Sequence, residues 1–354
     1  MKPTTVDTGR AYRRHLGRKR LTLLVLLGIL LLACLLSVCA GSAGLGPGQV
    51  AAALLGGGTP ESRTIVWSVR MPRAATAVGV GFALAMSGCV MQSVLRNPLA
   101  SASTLGVTQG ASFGAAAAIV ALGTSAGGSV TAAHPGLVTL SAFLGGMATT
   151  AAILLLSRVG GASPSALVLA GVAISSMFTG ATALVQYFAD DVTVASVVYW
   201  TFGSLGRAGW GEIGLIFALC LLAFCYFFWN RWNYNALESG SAAARSLGVR
   251  VDALTLASLT VCALAAAAAV AFAGGISFIG LLAPHMVRRF TGSDYRFLIP
   301  GSALAGASVL LEADVLSRVV IPPTVLPIGS ITAFLGAPVF LSILLKGGRH
   351  GCWR

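Results

Sequence analysis

From Leu21 to Ala40 the chain runs twenty residues without a charged side chain, and apolar runs of this kind recur to its end. Twenty helical residues at about 1.5 Å each cover the ~30 Å hydrocarbon layer of a bilayer. Comparable runs lie near 21–40, 74–94, 101–122, 137–157, 165–188, 212–230, 253–273, 276–290, 299–320 and 328–346. Strand-like alternation is absent and Ala, Leu and Gly dominate, so the spans are expected to be helices rather than barrel strands. Only 9% of residues are charged and the mean hydropathy is +0.87, whereas a soluble domain carries about 25% charged residues. The fold class is therefore an all-α membrane protein of about ten transmembrane helices.

Ten crossings put both termini on one side. If that side is the cytoplasm, the inner segments hold 18 of the 23 Lys and Arg residues and the outer segments hold five: Arg63, Arg70, Arg73, Arg207 and Arg318. This is the positive-inside bias, and it accounts for the net charge of +13 without nucleic acid. The expected organisation is a basic cytoplasmic tail (1–20), one membrane domain (21–346) with a cytoplasmic loop at 231–252, in which Ser241–Leu247 is expected to form a short helix, and a short cytoplasmic tail (347–354). The basic start followed by Leu21–Ala40 resembles a secretory leader, but nine further spans favour an uncleaved first helix.

Two spans are abnormal. One follows Asn97-Pro98 and is rich in Gly and Ser. The other follows Gly274-Gly275, and its apolar part, Ile276–Val287, would be only about 18 Å long as a helix. Both hold a similar core, Leu105-Gly106-Val107 and Ile279-Gly280-Leu281. They occupy matching places in spans 2–5 and 7–10, a candidate inverted repeat of the kind that marks a transport pathway. Pairs such as Gly81/Ala85, Gly171/Ser175 and Gly301/Ala305 have helix-packing spacing. His285, just ahead of Arg288 and Arg289, is expected near the inner end of its broken span.

Several chemistries are excluded. None of the three lysines follows a glycine, so there is no phosphate-binding loop and any ATPase must be another chain. The four histidines are scattered and the seven cysteines lack metal-ligand spacing, so no metal site is expected. Gly123-Thr124-Ser125-Ala126-Gly127 matches a hydrolase nucleophile elbow but lies between two spans rather than between strand and helix. An intramembrane hydrolase and a secondary transporter are the remote alternatives. Asp314 and Arg318 are four residues apart on one helix and are expected to pair.

The stretches RMPRAATAVGVGFALAMSGCVMQSVLRNPLASASTLGVTQGASFGA, ALVLAGVAISS, YWTFGSLGRAGW, AARSLGV, GGISFIGLLAPHMVRR and LPIGSITAFLGAPVFLSILL occur in order over about residues 45–346. In these the chain resembles the permease subunits of iron-siderophore, haem and cobalamin ABC importers of type II. The resemblance implies ten helices per subunit and a second permease subunit, identical or paralogous, across a central pathway. It also implies two ATP-binding-cassette ATPase subunits inside, a solute-binding protein outside and lipid around. No cofactor is expected on this chain; ATP and Mg belong to the ATPase. Arg70, Arg73 and Arg318 match the residues that dock the binding protein. Leu237, Glu238, Ser241, Ala242, Ala243, Ala244, Arg245, Ser246, Leu247 and Gly248 match the region that couples to the ATPase. This chain has Ser241 and Ala242 where many relatives carry an acidic pair. Asn97 and Pro98, with Ser163, Pro164 and Ser165, match the inner gate. The expected cargo is a metal chelate, ferric siderophore first, then haem or cobalamin, along a pathway of small and apolar side chains at a prokaryotic plasma membrane.

Overall fold

The computed structural model describes residues 8–41, 44–126, 134–160 and 164–349. All regular elements among the described residues are helical. They are α1 (Thr8–Cys39), α2 (Pro47–Leu54), α3 (Pro60–Thr64), α4 (Met71–Val94), α5 (Val107–Ala126), α6 (Pro135–Gly160), α7 (Pro164–Tyr187) and α8 (Asp191–Thr201), followed by α9 (Trp210–Trp229), α10 (Arg231–Glu238), α11 (Ser241–Ser246), α12 (Val251–Ala273), α13 (Ile279–Thr291), α14 (Tyr295–Val319) and α15 (Ile328–Arg349). Among the described residues, seven helical runs are long and apolar enough to cross a membrane, and α5 and α15 carry shorter apolar stretches, Val107–Gly123 and Ile328–Ser342. With α13 these cover the ten expected segments.

Boundaries differ from the expectation where polar residues join a helix. The basic residues from Arg13 to Arg20 belong to α1 itself. The second segment begins at Pro60, not Ala74: Thr59 caps α3, and a π-helical turn at Ile65–Arg70 joins it to α4, so RMPR lies inside a helix. The short helices α2 and α8 escaped the hydropathy reading because neither is long enough to span. Asp190 starts α8 by accepting from Thr193 N at 3.0 Å.

The two abnormal segments are broken as their composition implied. Residues 97–106 form successive turns before α5, with Gly106 at φ +77°. Ahead of α13, Gly274 closes α12 at φ +79° and Phe278 takes the left-handed conformation at φ +64°. The missing length of that span is therefore non-helical chain.

The core is built on α4, which is buried along nearly its whole length between α12 and α14. Small residues permit this. A Cβ at Gly81 would lie 2.6 Å from Ala307 Cα, and Gly306 faces Ala85 on the same seam. Gly88 meets the backbone of Gly280 in α13, and Gly110 and Gly145 join α5 to α6. The Gly-x3-small pairs thus serve packing. Between α4 and α12, Ser87 Oγ donates to Cys262 O at 3.1 Å and Cys262 Sγ to Ser87 O at 3.5 Å. Leucines on α1, α6, α7 and α9 point outward, as a bundle surrounded by hydrocarbon requires.

Candidate functional site

Charged and polar side chains gather at the two ends of the bundle. At one end the last turn of α1 leaves its carbonyls without intrahelical donors. Arginines supply them. Arg70 Nη1 donates to Val38 O and Cys39 O, 2.8 Å each. Arg318 donates from Nη1 to Ala40 O at 2.7 Å and from Nη2 to Ser37 O at 3.1 Å and Ser37 Oγ at 2.9 Å. Cations also suit the negative end of a helix dipole. Asp314, fully buried, ties the group together: Arg73 Nε donates to its Oδ1 at 2.7 Å, and Arg318 Nη2 lies 2.8 Å from its Oδ2.

The structure thus brings Arg70, Arg73 and Arg318 into one cluster, and the expected Asp314–Arg318 pair forms. The guanidinium groups of Arg70 and Arg318 are buried and turned inward onto α1, so at this end they brace the bundle. Arg70 Nη2 is buried without a hydrogen-bond partner.

At the opposite end of α1, Lys19 Nζ lies 3.3 Å from Asp294 Oδ2. From Lys19 to Ser37 the helix rises about 27 Å, close to the thickness of a bilayer core. Asp294 is the N-cap of α14 and accepts from Arg296 N at 3.2 Å and Arg296 Nη2 at 2.8 Å. Asn235 of α10 bridges to it, donating to Asp294 Oδ1 at 3.3 Å and accepting from Tyr295 N at 2.9 Å. Tyr295 OH donates to Glu238 Oε1 at 2.9 Å. Burial alone would raise the Asp294 carboxyl. The hydrogen bonds from Arg296 and Asn235, with the Lys19 charge, outweigh it and hold it at about 2, against an ordinary 3.8.

A depressed carboxyl contributes stability that is present above its unfolded value and is lost as pH falls through its folded value. We therefore expect the difference in thermal midpoint between wild type and Asp294→Asn to be full above pH ~4 and to shrink towards zero by pH ~2. Differential scanning fluorimetry across that range checks it; a constant difference would remove Asp294 from the linkage.

The same end carries α10 and α11, hinged at Gly240 with φ +104°. Leu237 and Ala244 are buried and anchor the pair, while Glu238, Ala242, Arg245, Ser246, Leu247 and Gly248 are exposed; Ser241 and Ala243 are half-buried. Leu247 is 71% exposed, an apolar group offered at the tip of a polar platform. The helix expected over Ser241–Leu247 forms over Ser241–Ser246. The Arg245–Asp252 pair, 3.1 Å apart, is solvent-exposed and contributes less than about 1 kcal/mol.

Asn97 and Pro98 lie in the turn after α4, where Asn97 Oδ1 accepts from Leu99 N at 2.9 Å. Pro164 and Ser165 open α7; Ser163 lies outside the described residues. Gly123–Ala126 form the end of α5, not a strand–turn–helix, and Gly127 lies outside the described residues. His285 lies in the middle of its helix rather than at its end. It is buried within α13, its Nδ1 is 2.9 Å from Leu281 O, and its ring meets Phe340 of α15 at 5.9 Å. The helix continues past it to Thr291, which places the ring on the face packed by α15 rather than at the helix end.

Residues 29–346 match the model of the FecCD transport family. The chain is 45% identical, over 96% of its length and 99% of the relative's, to a protein of Methanocaldococcus jannaschii that carries the name of an ABC transporter permease. It is 37% identical to the hemin transport permease of Yersinia pestis, covering 81% and 85% of the two chains. With the vitamin B12 import permease of Escherichia coli it shares 38% identity over 92% and 95%. A solved structure described as a metal-chelate type ABC transporter in an inward-facing conformation superposes with a TM-score of 0.80 at 30% identity, over 92% of this chain and 98% of that one. The chain therefore belongs to the FecCD transport family and is a permease of the ABC importer type.

Proposed function

We propose that this permease carries a metal chelate, a ferric siderophore first, from an extracytoplasmic solute-binding protein into the cytoplasm. It works as one of two permease subunits with two ATPase subunits. The observation that carries the reading is the division of labour between the bundle ends. One end holds the Arg70/Arg73/Arg318/Asp314 cluster, the other the α10–α11 platform, and α1 and α14 run parallel between them. The positive-inside bias assigns the platform end, rich in Arg13, Arg14, Arg18, Arg20, Arg289 and Arg296, to the cytoplasm. There the exposed Leu247 and its neighbours suit contact with an ATPase. The cluster of basic residues at the arginine end suits an acidic binding protein. Asn97–Pro98 and Pro164–Ser165, at helix ends, suit a gate. Motion of α10 would reach α14 through Asn235, Asp294, Tyr295 and Glu238.

Haem and cobalamin are the alternative cargoes, on the names of the relatives. Titrating the purified cognate binding protein with a ferric tris-hydroxamate, a ferric tris-catecholate, haem and cobalamin decides among them. Tightest capture of a ferric chelate is expected; capture of haem or cobalamin alone moves the cargo to that alternative. Docking of the loaded binding protein on the reconstituted permease is expected to weaken several-fold from ~0.05 to ~0.5 M salt, because exposed charge pairs are screened. Salt-independent docking would count against an acidic partner face.

A further inference from the structure

A groove of about 390 Å³ lies between the helix break ahead of α5 and one face of α7. Two glycines seat the break against that face. A Cβ at Gly106 would come 2.9 Å from Ser175 Oγ, and one at Gly171 would come 2.7 Å from Thr104 O. Apart from one valine the lining is polar and uncharged: Ser103, Thr104, Gln109, Ser175, Ser176 and Thr179.

Four of the five hydroxyl protons of this lining are committed inward. Ser175 Oγ donates to Gly171 O at 2.7 Å, Ser176 Oγ to Val172 O at 3.1 Å and Thr179 Oγ1 to Ser175 O at 2.9 Å. Thr104 Oγ1 donates to Ser101 O at 2.9 Å. Back-bonding of this kind leaves lone pairs free on the oxygens of Ser175, Ser176 and Thr179, whereas Thr104 Oγ1 also accepts from Ser101 N at 2.8 Å. Gln109 Oε1 is buried without a hydrogen-bond partner. Acceptors therefore outnumber donors in the groove, where the Gln109 amide NH2 and the Ser103 hydroxyl, 3.0 Å from Ser101 Oγ, are the donors left. Hydrocarbon cannot satisfy acceptors, and a buried orphan amide oxygen is costly. Of the seven long apolar helical runs, α7 is the least buried by the chain itself, with 6% of its window inside. Interrupted helix at membrane depth is tolerated where it lines a cavity, and it marks solute sites in transporters.

We infer that this groove is a hydrogen-bond-acceptor subsite for the transported solute, one that takes an uncharged chelate face bearing amide N–H or hydroxyl groups. The inference rests on the importer reading above. It replaces an apolar lining at this point with a polar one. It also ranks cargoes: peptide-based hydroxamate chelates and amide-bearing cobalamin present donors, whereas the rim of haem presents carboxylates and hydrocarbon.

The test is uptake into proteoliposomes by the full importer, with its ATPase and binding protein. The probes are a ferric tris-hydroxamate on a cyclic peptide, cobalamin and haem. Gln109→Leu, Ser176→Ala and Thr179→Val should each lower kcat/KM for the donor-bearing cargo about three- to tenfold, the effect of one lost hydrogen bond. Thr179→Ser, which keeps the acceptor, should restore it. Gel filtration of the assembled complex should be unchanged. Four results overturn the inference: unchanged uptake in every variant, a Thr179→Ser defect equal to that of Thr179→Val, loss of subunit assembly (which would make the groove a packing seam), or a wild type that moves haem alone. A wild type that moves none of the three would overturn the importer reading, and this inference with it.

Discussion

Asp314→Ala is expected to destabilise the permease by about 3–5 kcal/mol, the cost of leaving a buried charge partner uncompensated. Arg73 and Arg318 both converge on this carboxylate, at 2.7 and 2.8 Å, and Arg318 also caps the last turn of α1. Losing Asp314 therefore loosens α4, α14 and the end of α1 together. Asp314→Asn keeps the shape but not the charge and should fall between wild type and alanine. The measurement is thermal unfolding in detergent, followed by tryptophan fluorescence. A midpoint within a degree of wild type for Asp314→Ala would show that the cluster does not hold the bundle. The same geometry warns that charge reversal at Arg70 or Arg318, an obvious probe of docking, would injure the fold first.

Gly88→Val is the second large effect. Any Cβ at Gly88 falls on the carbonyl of Gly280, backbone against backbone, so α4 and α13 must separate. Overpacking in a dense core costs about 1–3 kcal/mol and sometimes more, and here no flexible side chain can yield, so the upper end or beyond is expected. Gly180→Ala in α7 is the matched control. Nothing lies within 4 Å of the added methyl, and helix propensity favours alanine by up to ~1 kcal/mol. Yield of monodisperse protein and its thermal midpoint should fall sharply for Gly88→Val and hold or rise for Gly180→Ala. Equal behaviour of the two would refute the close α4–α13 approach.

What could be read from the sequence follows from which forces are local. The apolar runs, the breaks at Asn97-Pro98 and Gly274-Gly275, the helix over Ser241–Ser246 and the Asp314–Arg318 pair all depend on neighbours within a few positions. The cluster at the end of α1 does not. Arg70 and Arg318 bind backbone carbonyls 31 and 278 residues away, and a carbonyl leaves no mark in the sequence. The Gly88–Gly280 contact joins two isolated glycines with no motif between them. His285 looked like a helix-end residue because two arginines follow it, but α13 runs on to Thr291 and turns the ring to Phe340. The acceptor groove draws single polar residues from a broken segment, α5 and α7, and only their meeting makes them a lining. Signals did exist: a Ser/Thr ladder at 175, 176 and 179 on an apolar helix, beside a segment too irregular to span.

The most direct test of the account is chelate uptake into proteoliposomes holding the permease alone, or with its ATPase and loaded binding protein. Accumulation is predicted only when all components and hydrolysable ATP are present, and it should stop when the ATPase is omitted. Uptake by the permease alone, driven by a proton or sodium gradient, would contradict the account and make this chain a secondary transporter.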